Sequence, residues 1–315
     1  MHVPDGFLSP AVAAGTWVAG AATLGFALRA ERRLPETVPA GTLGALSGFV
    51  FAAQLVNVPL LPGTSGHLVG GMLAAALVGP WRGIVVMAVV LAVQALLFQD
   101  GGVTAFGANL LAMGGGGCLA GHAVAVLARR ALPGPRGLVA GPVVGAFVGT
   151  LVGAAAIALL LAVSGLYPAA AVLPLLLSLH VPIALLEAAL TGAILGTLLR
   201  WRPDLVRGLQ KGGASASRSA PAAGVLVVAL AVAAFLAPMA SPLPDGLESV
   251  AERLGFAGAA RALWPAPAPG YELPWAALGR TGAALAGVMG TLAAAALAWA
   301  LSRGLGVPPA AGPHR

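Results

Sequence analysis

Apolar runs long enough to cross a bilayer, with almost no charge inside them, constrain this chain more than any other feature. One helical crossing needs about 20 predominantly apolar residues. Nine segments read as candidates, roughly 9–28, 38–60, 68–79, 83–98, 103–128, 138–163, 173–199, 224–240 and 275–302. Charged residues make up 9% of the chain and its mean hydropathy is +0.93. A soluble domain carries about a quarter charged residues, so there is too little charge here to coat a globule in water. The predicted fold class is all-α, a polytopic membrane helix bundle with a core of about seven spans and a two-span C-terminal tail. The 68–79 segment is short for a crossing and reads as a half-span, or as one arm of a broken helix continued past Gly79-Pro80. Counted as a crossing, it brings the total to nine at most.

The charges give the orientation. With the N-terminus outside, 14 of the 17 basic residues fall on inner loops, among them Arg29, Arg82, Arg129, Arg200 and Arg303. The opposite orientation would violate the positive-inside bias. The outer face then carries the N-terminus, the loop before His67, Gln99-Asp100-Gly101, the loop near Tyr167 and a long loop at 241–274. The net charge of +7 reports this topology and not a nucleic-acid partner, because no basic stripe interleaved with aromatics occurs. The opening MHVPDGF lacks a positive n-region and a cleavage site, so the native N-terminus is expected to be kept. Three regions follow: a membrane domain at 1–200, a polar, basic, Gly/Ser-rich cytoplasmic linker at 201–223, and a two-span domain with an extracytoplasmic loop at 224–315. Cys118 is the single cysteine, so no disulfide framework exists.

Few residues are available for chemistry. The α-amine of Met1, the amide of His2 and Nδ1 of His2 can close a five-membered and a six-membered chelate ring on one metal ion. Three nearly coplanar nitrogens of this kind suit Ni(II) or Cu(II). His67 enters from a Gly-rich loop on the same face, and reads either as a fourth nitrogen or as a helix-start histidine bonded to a loop carbonyl. His180 and Glu187 lie seven apart, close to two helical turns, and so share one helix face. A carboxyl inside an apolar span must find a partner. The pair reads either as support for a capture site or as a polar clasp between helices. Asn109, Gln94 and Asp100 read as interhelical hydrogen bonds or loop caps, and His122 as structural. Asp245 and Glu248 have the spacing of a capping box, with a weak lure for cations as the alternative. Small residues recur every four along the first span, from Ala11 to Ala27, and suit close helix packing. Gly114–Gly117 lacks the Lys-Ser/Thr of a phosphate-binding loop.

Together these segments resemble the CbiM/NikM family, the substrate-capture components of energy-coupling-factor cobalt and nickel transporters. The motifs are MHVPDGF at 1–7, SGHLVGG at 65–71, QALLFQDGGVTAFGAN at 94–109 and HVPIALLEA at 180–188. They cover about residues 1–200. The tail is similar to the small two-span companion component, through PDGLE at 244–248. The resemblance implies a Ni2+ or Co2+ substrate held by Met1, His2 and His67, with no organic cofactor. Asp5, Asn109, His180 and Glu187 are the candidates for a supporting shell. It further implies a membrane coupling subunit, a pair of cytoplasmic ATPases and residence in a prokaryotic cell membrane. The SGHLVGG form and planar nitrogen ligation lean towards nickel. The competing readings are a proton-coupled carrier using His180 and Glu187 as a relay, a membrane enzyme, and a vitamin-capture component. The enzyme lacks an HExxH or other catalytic constellation, and a vitamin site calls for aromatics that form only 5% of the chain.

Overall fold

The computed structural model describes residues 1–33, 38–132, 134–202, 220–273 and 279–304. Most of the expected linker, with Arg207, Lys211 and Arg218, lies outside the described residues, as does Arg315. Among the described residues, seven helices are long and apolar enough to cross a membrane. They are α1 (Pro10–Glu31), α4 (Pro80–Phe98), α5 (Phe106–Ala131), α6 (Arg136–Val163), α7 (Ala169–Trp201), α8 (Ala222–Met239) and α10 (Arg280–Gly304). Two shorter membrane segments complete the bundle, α2 (Ala40–Gln54) and α3 (Gly71–Val78). A small amphipathic helix, α9 (Gly246–Leu254), lies in the tail loop.

Two departures from the sequence reading shape one end of the bundle. The second span does not run on to residue 60. Helix α2 stops at Gln54, and the chain turns into a hairpin of β1 (Val58–Leu61) and β2 (Thr64–Gly66). The strands pair antiparallel, with Val58 opposite Gly66 and Pro59 opposite Ser65. Pro59 and Pro62 cannot donate to a helix, and Gly63 takes the positive φ of 75° that the turn needs. The second departure is α3. Its 8 residues rise only about 12 Å, which is a half-span. Gly79 at φ 90° then breaks the chain, and Pro80 opens α4. This is the broken helix that Gly79-Pro80 suggests.

The interior is built by backbone proximity as much as by large side chains. Helix α6 lies along both α5 and α7, and α2 is flanked by α8 and α10 from the tail. The tail is therefore part of the bundle. At the opposite end from the hairpin, Arg82 is buried and pairs with Glu31 at 2.6 Å. Arg82, counted as an inner-loop charge from sequence, is thus the first turn of α4 neutralised by the last turn of α1.

Candidate metal centre

The N-terminal arm, residues 1–8, does not trail in solvent. Met1, His2, Val3, Asp5, Phe7 and Leu8 are all buried. Two side chains hold the arm. Asn109 Oδ1 accepts from the Val3 amide at 2.8 Å, and Asn109 Nδ2 donates to the Val3 carbonyl at 3.0 Å. The Gly102 amide reaches the same carbonyl at 2.8 Å. Asp5 accepts the amides of Val103 at 3.1 Å and Thr104 at 2.7 Å. Both residues thus act on the backbone that carries Met1 and His2.

A second clamp holds the loop after His67. Both carboxylate oxygens of Glu187 accept from this loop, from Val69 N at 2.5 Å and Gly70 N at 2.9 Å. The Val69 carbonyl accepts from Gln54, which in turn accepts from Gln94 at 2.7 Å. Gly70 has φ 82° and a Cβ there would lie 2.8 Å from Val50 Cγ1, so no other residue fits the bend. Glu187 therefore does find the partner its position demands, and the partner is backbone. Gln94 is the interhelical bond expected of it. Gln54 was not singled out from sequence, because an amide near a helix end carries no periodic or motif signal.

Between these two clamps the imidazoles of His2 and His67 come together, with the buried α-amine of Met1 close enough to His67 to act on it electrostatically. The two rings stack at 5.5 Å between centroids and 15° between planes. The sequence reading did not place the fourth and fifth members, Asp245 and Asp100, against these groups. Asp245 Oδ2 contacts the Met1 amine, and one ligand atom each from His2, His67 and Asp245 lies within 4.8 Å of the others. Asp100 Oδ1 faces His2 Nδ1 at 3.0 Å, while its other oxygen accepts from Tyr271 at 2.5 Å. Asp245 does cap α9 as its spacing predicts, with the reciprocal Glu248 bond present. One carboxylate oxygen caps the helix, and the other reaches the cluster.

The hydrogen bonds decide which nitrogens are open. His67 Nδ1 lies 2.9 Å from the Leu68 carbonyl. A carbonyl only accepts, so Nδ1 carries the hydrogen and Nε2 keeps its lone pair. The same logic applies to His2, whose Nδ1 faces a carboxylate. His2 Nε2 is buried and has no hydrogen-bond partner among the described residues. A histidine whose second nitrogen donates to a carboxylate or a backbone carbonyl is the usual arrangement around bound metal. It differs from the expected chelate in one respect: Nδ1 of His2, the atom that closes the six-membered ring, is engaged by Asp100.

Electrostatics favour a cation here. Burial, with help from the N-terminal charge and His2, lowers the His67 pKa from 6.5 to about 4, so this ring is neutral at physiological pH. Burial would raise the Asp100 carboxyl. Electrostatic attraction to His2 and hydrogen bonds from His2 and Tyr271 outweigh that and hold it below the usual range. Burial is likewise outweighed at Asp245, by the α-ammonium and the helix amides. Two ionised carboxylates and open imidazole nitrogens thus line one cavity of about 370 Å³, shared with Glu248 and Tyr271.

His180 plays another part. Its Nδ1 donates to Leu176 within its own helix at 2.8 Å, and its ring lies under the start of α9 at Gly246. Glu187 and His180 therefore serve two separate loops, and no hydrogen bond joins them among the described residues. His122 begins the last stretch of α5, away from the cluster.

Comparison with known proteins agrees with this architecture. Residues 2–205 match the family model described as cobalt uptake substrate-specific transmembrane region, and residues 219–306 match the PDGLE domain. A chain of Archaeoglobus fulgidus named as a fused nickel transport protein is 32% identical over 305 residues, covering 96% of this chain and 98% of that one. A cobalt transport protein of Sorangium cellulosum is 35% identical over 176 residues, covering 53% of this chain and 76% of that one. The crystal structure of a truncated transition metal transporter superposes with a TM-score of 0.57 at 30% identity, covering 64% of this chain and 99% of that chain. The chain belongs to the cobalt-uptake substrate-specific transmembrane family, joined on one polypeptide to a PDGLE domain, and is a multi-pass membrane component of transition-metal transport.

Proposed function

We propose that this chain is the substrate-specific component of an energy-coupling-factor transporter, capturing Ni2+ or Co2+ at the outer face of the cell membrane for ATP-driven uptake. The amine of Met1 and the imidazoles of His2 and His67 are the metal-binding groups. The amide of His2 joins them when its ring turns away from Asp100 and brings Nδ1 to the metal. The observation that carries this reading is the burial of a chain terminus against two histidines. Burying an α-amine and two imidazoles together costs free energy unless they gain partners, and a cation supplies one to all three at once.

The N-terminus, the hairpin, the 99–104 loop and the tail loop converge at this one end of the bundle. Their convergence supports an outer N-terminus, because the charge distribution assigns all four to the same face. Planar nitrogen ligation leans towards nickel. A membrane coupling subunit and two cytoplasmic ATPases supply the energy, and the transported metal is substrate and not a resident cofactor. The test is elemental analysis of protein purified with its native N-terminus after growth in equal nickel and cobalt. One equivalent of either metal, lost in His67→Ala, is expected. Stoichiometric metal retained by a folded His67→Ala protein refutes the assignment.

A further inference from the structure

The cluster around the Met1 amine includes a residue from beyond the first 205, Asp245. The segment that carries PDGLE is bonded directly onto the hairpin that leads to His67. The Ser65 amide donates to Pro244 O at 2.8 Å, the Ser65 hydroxyl donates to Leu243 O at 2.7 Å, and Thr64 meets Ser249 hydroxyl to hydroxyl at 3.0 Å. Helix α9 then starts on top of His180. A Cβ at Gly246 would lie 2.7 Å from Cε1 of that ring, so only glycine permits the approach.

This seat aims Asp245. Its Oδ1 accepts the amides of Leu247 at 2.7 Å and Glu248 at 2.9 Å. That bond pattern fixes the carboxylate in the helix cap, and Oδ2 points into the cluster beside the Met1 amine. One ring nitrogen each of His2 and His67 lies within 4.8 Å of a carboxylate oxygen of Asp245, and His2 Nε2, on a residue only 8% exposed, is without a hydrogen-bond partner among the described residues. The adjoining cavity of about 370 Å³ has room for a cation with six waters, each taking about 30 Å³. A dication that sheds those waters onto the nitrogens arrives next to a fixed carboxylate of opposite charge.

We propose that the tail supplies the anionic group of the metal site: Asp245 faces the captured cation, so that metal binding and the docking of α9 on the core reinforce each other. This rests on the capture reading above. Linkage makes the effect reciprocal. If docking the tail tightens the metal, the metal must tighten the tail by the same factor. A metal-bound amine still carries N–H groups, so it continues to donate to Asp245 after loading, and the carboxylate has no cause to leave.

The experiment uses the full chain with its native N-terminus in detergent, and Ni2+ alone as the probe. Asp245→Asn keeps a good helix cap and removes only the charge. Ni2+ affinity is expected to fall about tenfold or more, the range seen when supporting groups around a metal are lost. Hydrogen exchange of the α9 amides is expected to slow on Ni2+ addition in the wild type and to stay unchanged in Asp245→Asn. Gly246→Val, which pushes α9 off His180 without touching any donor, is expected to weaken Ni2+ as well. Wild-type affinity in Asp245→Asn overturns the inference, and so does undiminished Ni2+ protection of α9 in that variant. His67→Ala separates the two levels. If it loses Ni2+ while Asp245→Asn does not, the tail's role falls and capture stands. If it binds Ni2+ normally, the capture reading itself has failed.

Discussion

Asn109→Leu tests the idea that the N-terminal arm is a positioned ligand. The side chain is similar in size and the site is 2% exposed, so the change removes hydrogen bonds with little change in packing. Two bonds to Val3 disappear. The Val3 carbonyl keeps its bond from Gly102 at 2.8 Å, which limits that loss to about 0.5–1.5 kcal/mol. The Val3 amide has Asn109 as its partner at 2.8 Å and is left buried without one, a cost of about 1–3 kcal/mol. The docked arm is therefore destabilised by about 1.5–4.5 kcal/mol. Since 1.4 kcal/mol is a factor of ten, and a site that is only partly assembled binds in proportion to its assembled fraction, metal affinity is expected to fall between about tenfold and a thousandfold. Asn109→Asp keeps an acceptor for the Val3 amide and should lose less. The assay is competition with a chromophoric chelator, alongside thermal unfolding of the metal-free protein. A folded Asn109→Leu protein that binds within about twofold of wild type would refute the reasoning, because the arm would then dock without its clamp.

Four further outcomes follow from the same geometry. Glu187→Leu removes the acceptor of two loop amides and should weaken metal about 10–100-fold, read by the same competition; unchanged affinity would mean the Glu187 clamp does not position His67. An uncleaved N-terminal extension converts the buried Met1 amine into a peptide amide and should abolish stoichiometric metal in elemental analysis, whereas a C-terminal tag should not. With the His67 pKa at about 4, below its unfolded value of about 6.5, the folded protein binds fewer protons between those values. Its share of stability is complete above pH 6.5 and is lost as pH falls towards 4; a pH series of unfolding on metal-free wild type and His67→Gln should show that slope only in the former. Pro62→Cys, on the exposed hairpin turn, should label from outside and Trp201→Cys from inside, and the reverse pattern would invert the topology.

Much of this protein is legible in its residues taken alone. Apolar run length and loop charge determine a membrane helix bundle, because lipid leaves the backbone no partners but its own helix. Met1-His2 is a chelating sequence by its covalent structure, and Asp245-Gly246-Leu247-Glu248 caps a helix by its spacing. Glu187 needed a partner because a lone carboxylate in an apolar span is costly. What sequence could not show is which distant groups share a space. The tail segment that lies against the hairpin, through Ser65 and Pro244, is one such neighbour. That Asp100 belongs with His2 is decided by how the N-terminal arm docks on the 99–109 segment, and that Asp245 belongs with the Met1 amine 244 positions away by how α9 seats on His180 and β2. Hydrogen bonds and ion pairs act over a few ångströms of space, whatever the separation along the chain. Only the packed bundle brings the first atom of the polypeptide against a carboxylate from its last third.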